Sequence, residues 1–422
     1  MDKKFTFMEM FAGAGGSHLG FKANGNFRTL LVSDINKDMC ETFKYNNSEV
    51  ENVVCQDIHK LRPREMLEQT GLAAGQLDAM FGGIVCKGFS LAGVRSPTDP
   101  RNDLYKEYIR LVSGLRPKIA IIENVPGMAS MEILNGKELS KQEREEINDA
   151  WNKLKKLNGL KSSERKGLAS REQISEIREI ENNKDRYREL IKAGSVNVVS
   201  DIIRRYNRVG YTVLEPRVLN AVDYGAATER RRLIIVAIRN DLDHNLFRWP
   251  KEGVAKVKTV RDALAEIDYS DTNDQDNIPM NHSKKSVERF TYIPMGKNIV
   301  EVMDKVPKNL KISSFYSRGC TMRLCWDKPA PTLVPGHSNF PIHPKEHRSI
   351  TVREAAAIMG FPPEYKFFGS HTKRCEQVGQ AVVVDMAQAL ADSTSAFLKK
   401  VAQKHQTTSS SHQKGISQYV SP

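Results

Sequence analysis

Cys86 stands in the middle of GGIVCKGFS (Gly82–Ser90). A single cysteine in an apolar stretch is ordinarily a small packed hydrophobe. Flanked by Gly83, Lys87 and Gly88, this one makes a poor core residue. The glycines let backbone approach a ligand closely, and the Lys87 ammonium favours the thiolate, the nucleophilic form. Glu123 closes the apolar run of AIIENVPG, just before Pro126 and Gly127. A carboxylate so placed is expected to be partly desolvated, able to hold or deliver a proton near neutral pH. The plainer alternative is a strand-end acid satisfied by its neighbours. Asp34 ends TLLVSD and Asp57 ends VVCQD. An acid after a second strand is where a ribose is gripped through its hydroxyls, and Asp57 is placed to accept from an adenine amino group. Each acid alone is more readily a helix cap. Before them comes FAGAGG (Phe11–Gly16), where glycines and a following helix start suit a closely approaching ligand. A tight turn without a ligand explains such a loop equally well. Its spacing is not the GxGxxG of a pyrophosphate cradle. Loop and acids together suggest a nucleoside cofactor without pyrophosphate, S-adenosylmethionine rather than NAD.

These features share a position: each follows a short apolar run. The strand candidates are Phe5–Phe11, Thr29–Ser33, Val53–Cys55, Leu77–Phe81 and Lys118–Ile122, alternating with helical stretches. That alternation implies an α/β fold with a mostly parallel sheet, in which ligands bind beyond the carboxyl ends of the strands. A second αβ stretch runs from Val196 to Ile238 and includes the strand-like Leu233–Ile238. Residues 1–240 are therefore expected to form one catalytic, cofactor-binding domain.

The rest of the chain is less periodic. Residues 137–192 are dense in both charge signs, with Ile147, Trp151 and Leu154 at helical spacing and then Ile174 and Ile177. They read as two helices around Gly159–Lys166, a solvated insertion in preference to an extra DNA or partner contact. Residues 241–348 are rich in turn-formers and resemble a smaller, loop-rich domain. From 349 to 401 helices return; Ser349 or Thr351 is expected to cap the first, with Glu354 three residues after Thr351 as a capping box, and Gly360-Phe361-Pro362-Pro363 ends that helix. Residues 402–422 are expected to be a disordered tail. A net charge of +13 suits a polyanionic partner, nucleic acid before an anionic membrane surface. No apolar run approaches the ~20 residues that span a bilayer, and MDKKFTFMEMF lacks a signal-peptide core. A cytoplasmic, nucleoid-associated protein without membrane contact is expected. The six cysteines form no CxxC pair, which argues against a zinc ribbon or a disulfide framework and leaves no metal site.

Taken in order, these residues resemble the DNA cytosine-5 methyltransferase family of bacterial restriction-modification type. FAGAGG is similar to the family's cofactor loop, GGIVCKGFS to its nucleophile loop with Asp99–Leu104 as companion, and Glu123-Asn124-Val125 to its Glu-Asn-Val tripeptide. Tyr224-Gly225 with Arg230 and Arg232 resembles the Gln-x-Arg-x-Arg segment. Asn281-His282 and Arg323–Thr332 resemble the stretch around target recognition, and His343–Arg348, Arg353-Glu354, Gly360–Pro362 and Gln377–Val382 the closing motifs. The resemblance implies a Rossmann-like class I S-adenosylmethionine-dependent methyltransferase with a target-recognition domain at 241–348. It implies Cys86 as nucleophile on cytosine C6, Glu123 as the group at N3, Arg232 positioning the base and Arg230 supporting the loop. Phe11, Gly13, Gly15, Asp34, Ile35, Asp57, Ile58, Leu104 and Gln380 would contact the cofactor. The target cytosine, in a specific double-stranded DNA sequence, would be flipped into the pocket by a monomeric enzyme. A cognate restriction endonuclease would be its partner.

The sequence also departs from the family. Val85 replaces the usual Pro before the nucleophile and Lys87 the usual Gln after it. Thr228 replaces the Gln of Gln-x-Arg-x-Arg, Ala227 a common Pro, and Gln380 the usual Asn. Two other functions follow from these features: a methyltransferase-like protein that binds DNA without turnover, or an RNA cytosine methyltransferase. The Cys-Phe-Thr signature of the RNA branch is missing from the sequence.

Overall fold

The computed structural model describes residues 4–84, 103–135, 139–165, 167–253, 255–312, 321–336 and 340–416. Ten strands occur among them: β1 (Phe5–Met10), β2 (Phe27–Asp34), β3 (Asn52–Cys55), β4 (Ala79–Gly83), β5 (Ile119–Asn124), β6 (Glu132–Leu134), β7 (Ser195–Asn197), β8 (Tyr211–Val213), β9 (Arg217–Asn220) and β10 (Arg231–Arg239). The predicted strands fall on β1–β5 and β10, with no end shifted by more than two residues.

Eight strands form one sheet in the order β3-β2-β1-β4-β5-β10-β8, with β9 paired to β10. Strands β3-β2-β1-β4-β5 are mutually parallel, whereas β8 and β9 run antiparallel to β10. Such strands are covered on both faces and read as near-continuous apolar runs; Phe7, Met8, Ala79, Met80, Phe81 and Ile119–Ile122 are accordingly inaccessible to solvent. Phe7 stacks on Phe21 with ring centroids 4.1 Å apart, and Phe27 and Phe81 close round them. Full burial of each such side chain contributes about 1.5–3 kcal/mol. The helix after β1, Gly16–Asn24, packs through Gly20 on the C-terminal helix and through Gly16 on the residues just before it. A Cβ at Gly20 would lie 2.5 Å from that of Ala387, and one at Gly16 would collide with the carbonyl oxygen of Val382.

The register brings the strand ends together. Met10 lies opposite both Ser33 and Gly82, Asp34 opposite Cys55, and Gly83 opposite Glu123. The features of the first ~125 residues that lie among the described residues thus emerge along one edge of the sheet.

The chain divides into two compact units. One holds Met1–Ile84, Glu107–Glu123 and Gly210–Pro422; the other holds Val85–Lys106 and Asn124–Val209. The segment 241–348 falls within the first unit. It carries a satellite core of Phe290, Ile293, Ile299, Val302, Val306 and Leu310 with Ile342. In the second unit, β6 and β7 pair antiparallel, and the insertion between them forms three helices, Lys141–Arg165, Arg171–Asn182 and Lys184–Ala193. The break expected across Gly159–Lys166 comes only at the end of that span, the first helix running through Gly159 to Arg165. An exposed glycine in a helix costs only about 1 kcal/mol relative to alanine, and here Leu157 and Leu160 pack with Ile177 and Ile180 to hold the helix through it. The capping box Thr351–Glu354 forms as expected. The C-terminal helix, Val384–Ile416, continues into the stretch expected to be disordered. Among the described residues no helix is long and apolar enough to cross a membrane.

Candidate active site

The turn after β1 bends through left-handed backbone three times. Gly13 (φ +56°) and Gly15 (φ +94°) adopt it freely, but Phe11 (φ +57°) does so against its side chain. Strain of this kind persists where surroundings impose it. Here they do: the Gly13 amide donates to Asp34 Oδ2 at 2.9 Å, and the Tyr365 hydroxyl donates to the Ala14 carbonyl. A Cβ at Gly15 would lie 2.8 Å from the Tyr365 oxygen.

Asp34 organises the next turn as well. Its Oδ1 accepts from the Asn36 amide at 2.9 Å, and Asn36 caps the helix Lys37–Asn46 through the Met39 amide. Burial pushes the Asp34 carboxyl above its ordinary value, opposed by the Asn36 and Gly13 amides. Ile35 beside it is 64% exposed, an apolar surface with nothing covering it among the described residues. Asp57 is different. It is exposed, caps the turn Ile58–Lys60 through the His59 amide, and pairs with His59 Nδ1 at 2.7 Å. The His59 amide and ring hold its carboxyl below the usual range. Ile58 is buried. An exposed apolar surface between two strand-end carboxylates, bordered by a glycine turn, fits an adenosyl group.

Glu123, at the end of β5, is buried, and its Oε1 lies 2.7 Å from Arg232 Nε on β10. The expectation for Glu123 rested on burial alone; the guanidinium is a counter-charge that expectation omitted. Arg232 is itself buried and also donates to the Arg231 carbonyl at 2.8 Å. Gly83 links this acid to the glycine turn. A Cβ at Gly83 would meet the Phe11 carbonyl oxygen at 3.6 Å and Glu123 Oε2 at 3.8 Å. Both groups therefore border the same small space.

Arg230 points elsewhere. It is buried and donates to the Leu333 and Gly379 carbonyls at 3.1 and 3.0 Å. It ties the start of β10 to the segment after Ala330 and to the end of the helix His371–Gln380. Thr228, in place of the family's Gln, is fully buried and donates to the Pro331 carbonyl. Gln380 is exposed at the last residue of its helix, and Leu104 opens the helix Leu104–Leu115 half-buried. Cys86, with Val85 and Lys87, lies outside the described residues, as do residues 99–102 of the companion segment.

One acid escaped notice in the sequence. Glu9, on β1, is wholly buried beneath the glycine turn, accepts a hydrogen bond from Ser17, and has no partner for Oε2 among the described residues. Burial pushes its carboxyl up to about 8, with Ser17 opposing and Asp34 adding to the rise. An acid at an inward position of an otherwise apolar strand, FTFMEM, was the available signal.

The model of the C-5 cytosine-specific DNA methylase family matches residues 5–158 and 180–396. The chain belongs to this family. The family model passes over residues 159–179, the middle of the helical insertion in this methylase. The type II methyltransferase M.Eco47II of Escherichia coli is 29% identical over 406 residues, covering 94% of this chain and 80% of the relative. M.DdeI of Desulfomicrobium norvegicum is 26% identical, with 93% and 89% covered. Among solved structures, a prophage-encoded E. coli protein described as a DNA modification methyltransferase superposes with a TM-score of 0.63 at 20% identity, covering 94% and 100%. The Entamoeba histolytica methyltransferase EhMeth gives 0.55 at 14%, covering 93% and 98%. At these identities the two structures speak to the fold alone.

Proposed function

We propose that this methylase transfers a methyl group from S-adenosylmethionine to C5 of a cytosine in a specific double-stranded DNA sequence. The observation that carries the residue assignment is the buried Glu123–Arg232 pair, which borders the same space as the Phe11 carbonyl. S-adenosylmethionine, when bound, supplies the electrophilic methyl group. Asp34 and Asp57 would hold its ribose and adenine, with Ile35, Ile58, Leu104 and Gln380 as further contacts and Phe11, Gly13 and Gly15 lining the amino-acid end.

Cytosine C5 is a weak nucleophile until C6 is attacked. The Cys86 thiolate adds to C6, and the electron pair gained at C5 takes the methyl group, with the methyl–sulfur bond broken and S-adenosylhomocysteine left as product. Glu123 holds a proton at N3 and accepts from the exocyclic amine, while Arg232 fixes the Glu123 carboxyl and the base beside it. Removal of the C5 proton then expels the thiolate. A base within a duplex is unreachable, so the target is flipped out at a cost of a few kcal/mol. Phosphate contacts from a chain of net charge +13 offset that cost. We place target recognition in 241–348, and we read the protein as a monomer that modifies sites cut by a cognate endonuclease.

Incubation with methyl-tritiated S-adenosylmethionine and mixed-sequence DNA should label the DNA, and bisulfite sequencing should locate the label at cytosines of one sequence. DNA containing 5-fluorocytosine should trap a covalent adduct that C86S abolishes. A folded protein that binds the cofactor yet labels no DNA would overturn the proposal.

A further inference from the structure

The turn that carries Asp34 is braced from behind by two thiols. Cys40 Sγ lies 3.5 Å from the Asp34 carbonyl oxygen, and Cys55 Sγ lies 3.9 Å from that of Ile35. The positions follow from the fold. Cys55 stands opposite Asp34 in the β2–β3 register, and Cys40 occupies the first turn of the helix that Asn36 caps. The two sulfurs thus lie against the carbonyls of consecutive residues, Asp34 and Ile35. Both line one open cleft, together with Lys37, Glu41, Lys44, Tyr45 and Phe368, so that two lysines face one acid there. Cys55 is exposed and Cys40 is buried.

We propose that Cys55 and Cys40 form a reversible disulfide at the foot of this cleft, and that closing it weakens adenosyl-cofactor binding by shifting the Asp34–Asn36 turn. The second half rests on the cofactor placement proposed above. The oxidant is a low-molecular-weight disulfide such as oxidised glutathione, whose carboxylates suit Lys37 and Lys44. The accessible Cys55 thiolate attacks one sulfur of that disulfide, and one small thiolate leaves and takes up a proton. Cys40 then attacks the Cys55 sulfur of the mixed disulfide, gives its proton to solvent, and expels the second small thiol. Two protein thiols are oxidised and one small disulfide is reduced to two thiols, so atoms and electrons balance. The order of attack follows from burial, which keeps the Cys40 thiol protonated; the neighbouring Cys55 adds to that effect. Converting Cys55 to a mixed disulfide removes the second contribution when Cys40 must react.

The coupling to the cofactor is geometric. Each sulfur now rests against a different carbonyl of the same turn, and a covalent bond must draw them off those carbonyls. Asp34 cannot move without disturbing its bonds to the Asn36 and Gly13 amides.

The test treats the full chain with oxidised glutathione, maps the peptides by mass spectrometry, and measures S-adenosylmethionine binding by calorimetry before and after. We expect a linked Cys40–Cys55 peptide, reversed by dithiothreitol. C40S should stop at a glutathione adduct on Cys55, and C55S should give neither product there. The oxidised protein should bind the cofactor about tenfold more weakly, equivalent to about 1.4 kcal/mol. If Cys55 reacts with a small maleimide but never links to Cys40, the disulfide assignment is overturned. If the disulfide forms and affinity is unchanged, the coupling is overturned. If the reduced protein binds no cofactor, the reading of the cofactor site fails, while the peptide map alone still decides the disulfide.

Discussion

The ends of β5 and β3 carry acids of similar sequence setting and opposite condition. Glu123 is buried and already paired with Arg232. Asp57 is exposed and uses one oxygen, Oδ1, for both its own turn and the His59 ring. Both follow apolar runs, so the sequence offered no means of ranking them. The difference lies in neighbours. β5 lies inside the sheet and is flanked by β10, whereas β3 is an edge strand. An acid at a central strand end has to find a counter-charge, because leaving it alone in low dielectric is costly. An acid at an edge is paired locally or by solvent. The proposed chemical end of the site thus carries a buried ion pair, and the proposed adenine end carries only local bonds.

The strongest way to break this contrast is at Glu123. Glu123→Gln keeps the shape and removes the charge opposite Arg232. We expect the methyl-transfer rate to fall by about 10²–10⁴-fold, the range for a positioned acid or base. Cofactor affinity measured by calorimetry should be nearly unchanged. A comparable loss of cofactor affinity would mean that the pair supports the fold, not the chemistry.

Arg230→Ala tests the support beneath that end. Two hydrogen bonds from a buried cation are lost, each worth about 1.5–3 kcal/mol, and the Leu333 and Gly379 carbonyls lose their donor. Destabilisation of roughly 2–4 kcal/mol should appear in urea unfolding. Arg230→Lys should restore little of it, since an ammonium lacks the guanidinium's fork. An unchanged midpoint would show that Arg230 is not a structural tie.

Glu9 sharpens the comparison from a third position, being buried like Glu123 but without a cation. Its carboxyl is raised from 4.5 to about 8. A raised value means the protonated form is favoured in the fold. Its stabilising contribution is therefore full below pH ~4.5 and is lost as pH rises through about 8. Glu9→Gln should flatten the fall in stability over this window, measured as urea midpoints from pH 5 to 9, and should leave the variant more stable than the parent above pH 8. An identical slope in parent and variant would refute the assignment.

Much of this arrangement was legible in the sequence, and the rest was not for physical reasons. Asp34 and Glu123 announced themselves because an acid after a buried parallel strand is conspicuous. Partners could not be read. Arg232 reaches Glu123, and Tyr365 reaches the glycine turn, only through strand order and helix packing. The insertion misled through Gly159, a breaker by propensity that leucines on one face overrule. The expected boundary at residue 240 rested on a change in periodicity, a signal that carries no information on which segments pack together.

Asp57 should show the smallest effect. Asp57→Asn keeps an oxygen that can accept from the His59 amide, so the turn Ile58–Lys60 survives. Exposed ion pairs such as Asp57–His59 contribute about 0–1 kcal/mol, and the bare protein should unfold within ~0.5 kcal/mol of the parent. The change should surface only with ligand present. An amide can both donate to and accept from an adenine edge, so S-adenosylmethionine affinity should fall by about threefold to tenfold, or up to ~1.4 kcal/mol. Rates at saturating cofactor should be restored. The outcome bears on the whole contrast. A large loss of stability without ligand would mean that Asp57 is tied into the fold no less firmly than Glu123, and that the β3 end carries more than local bonds.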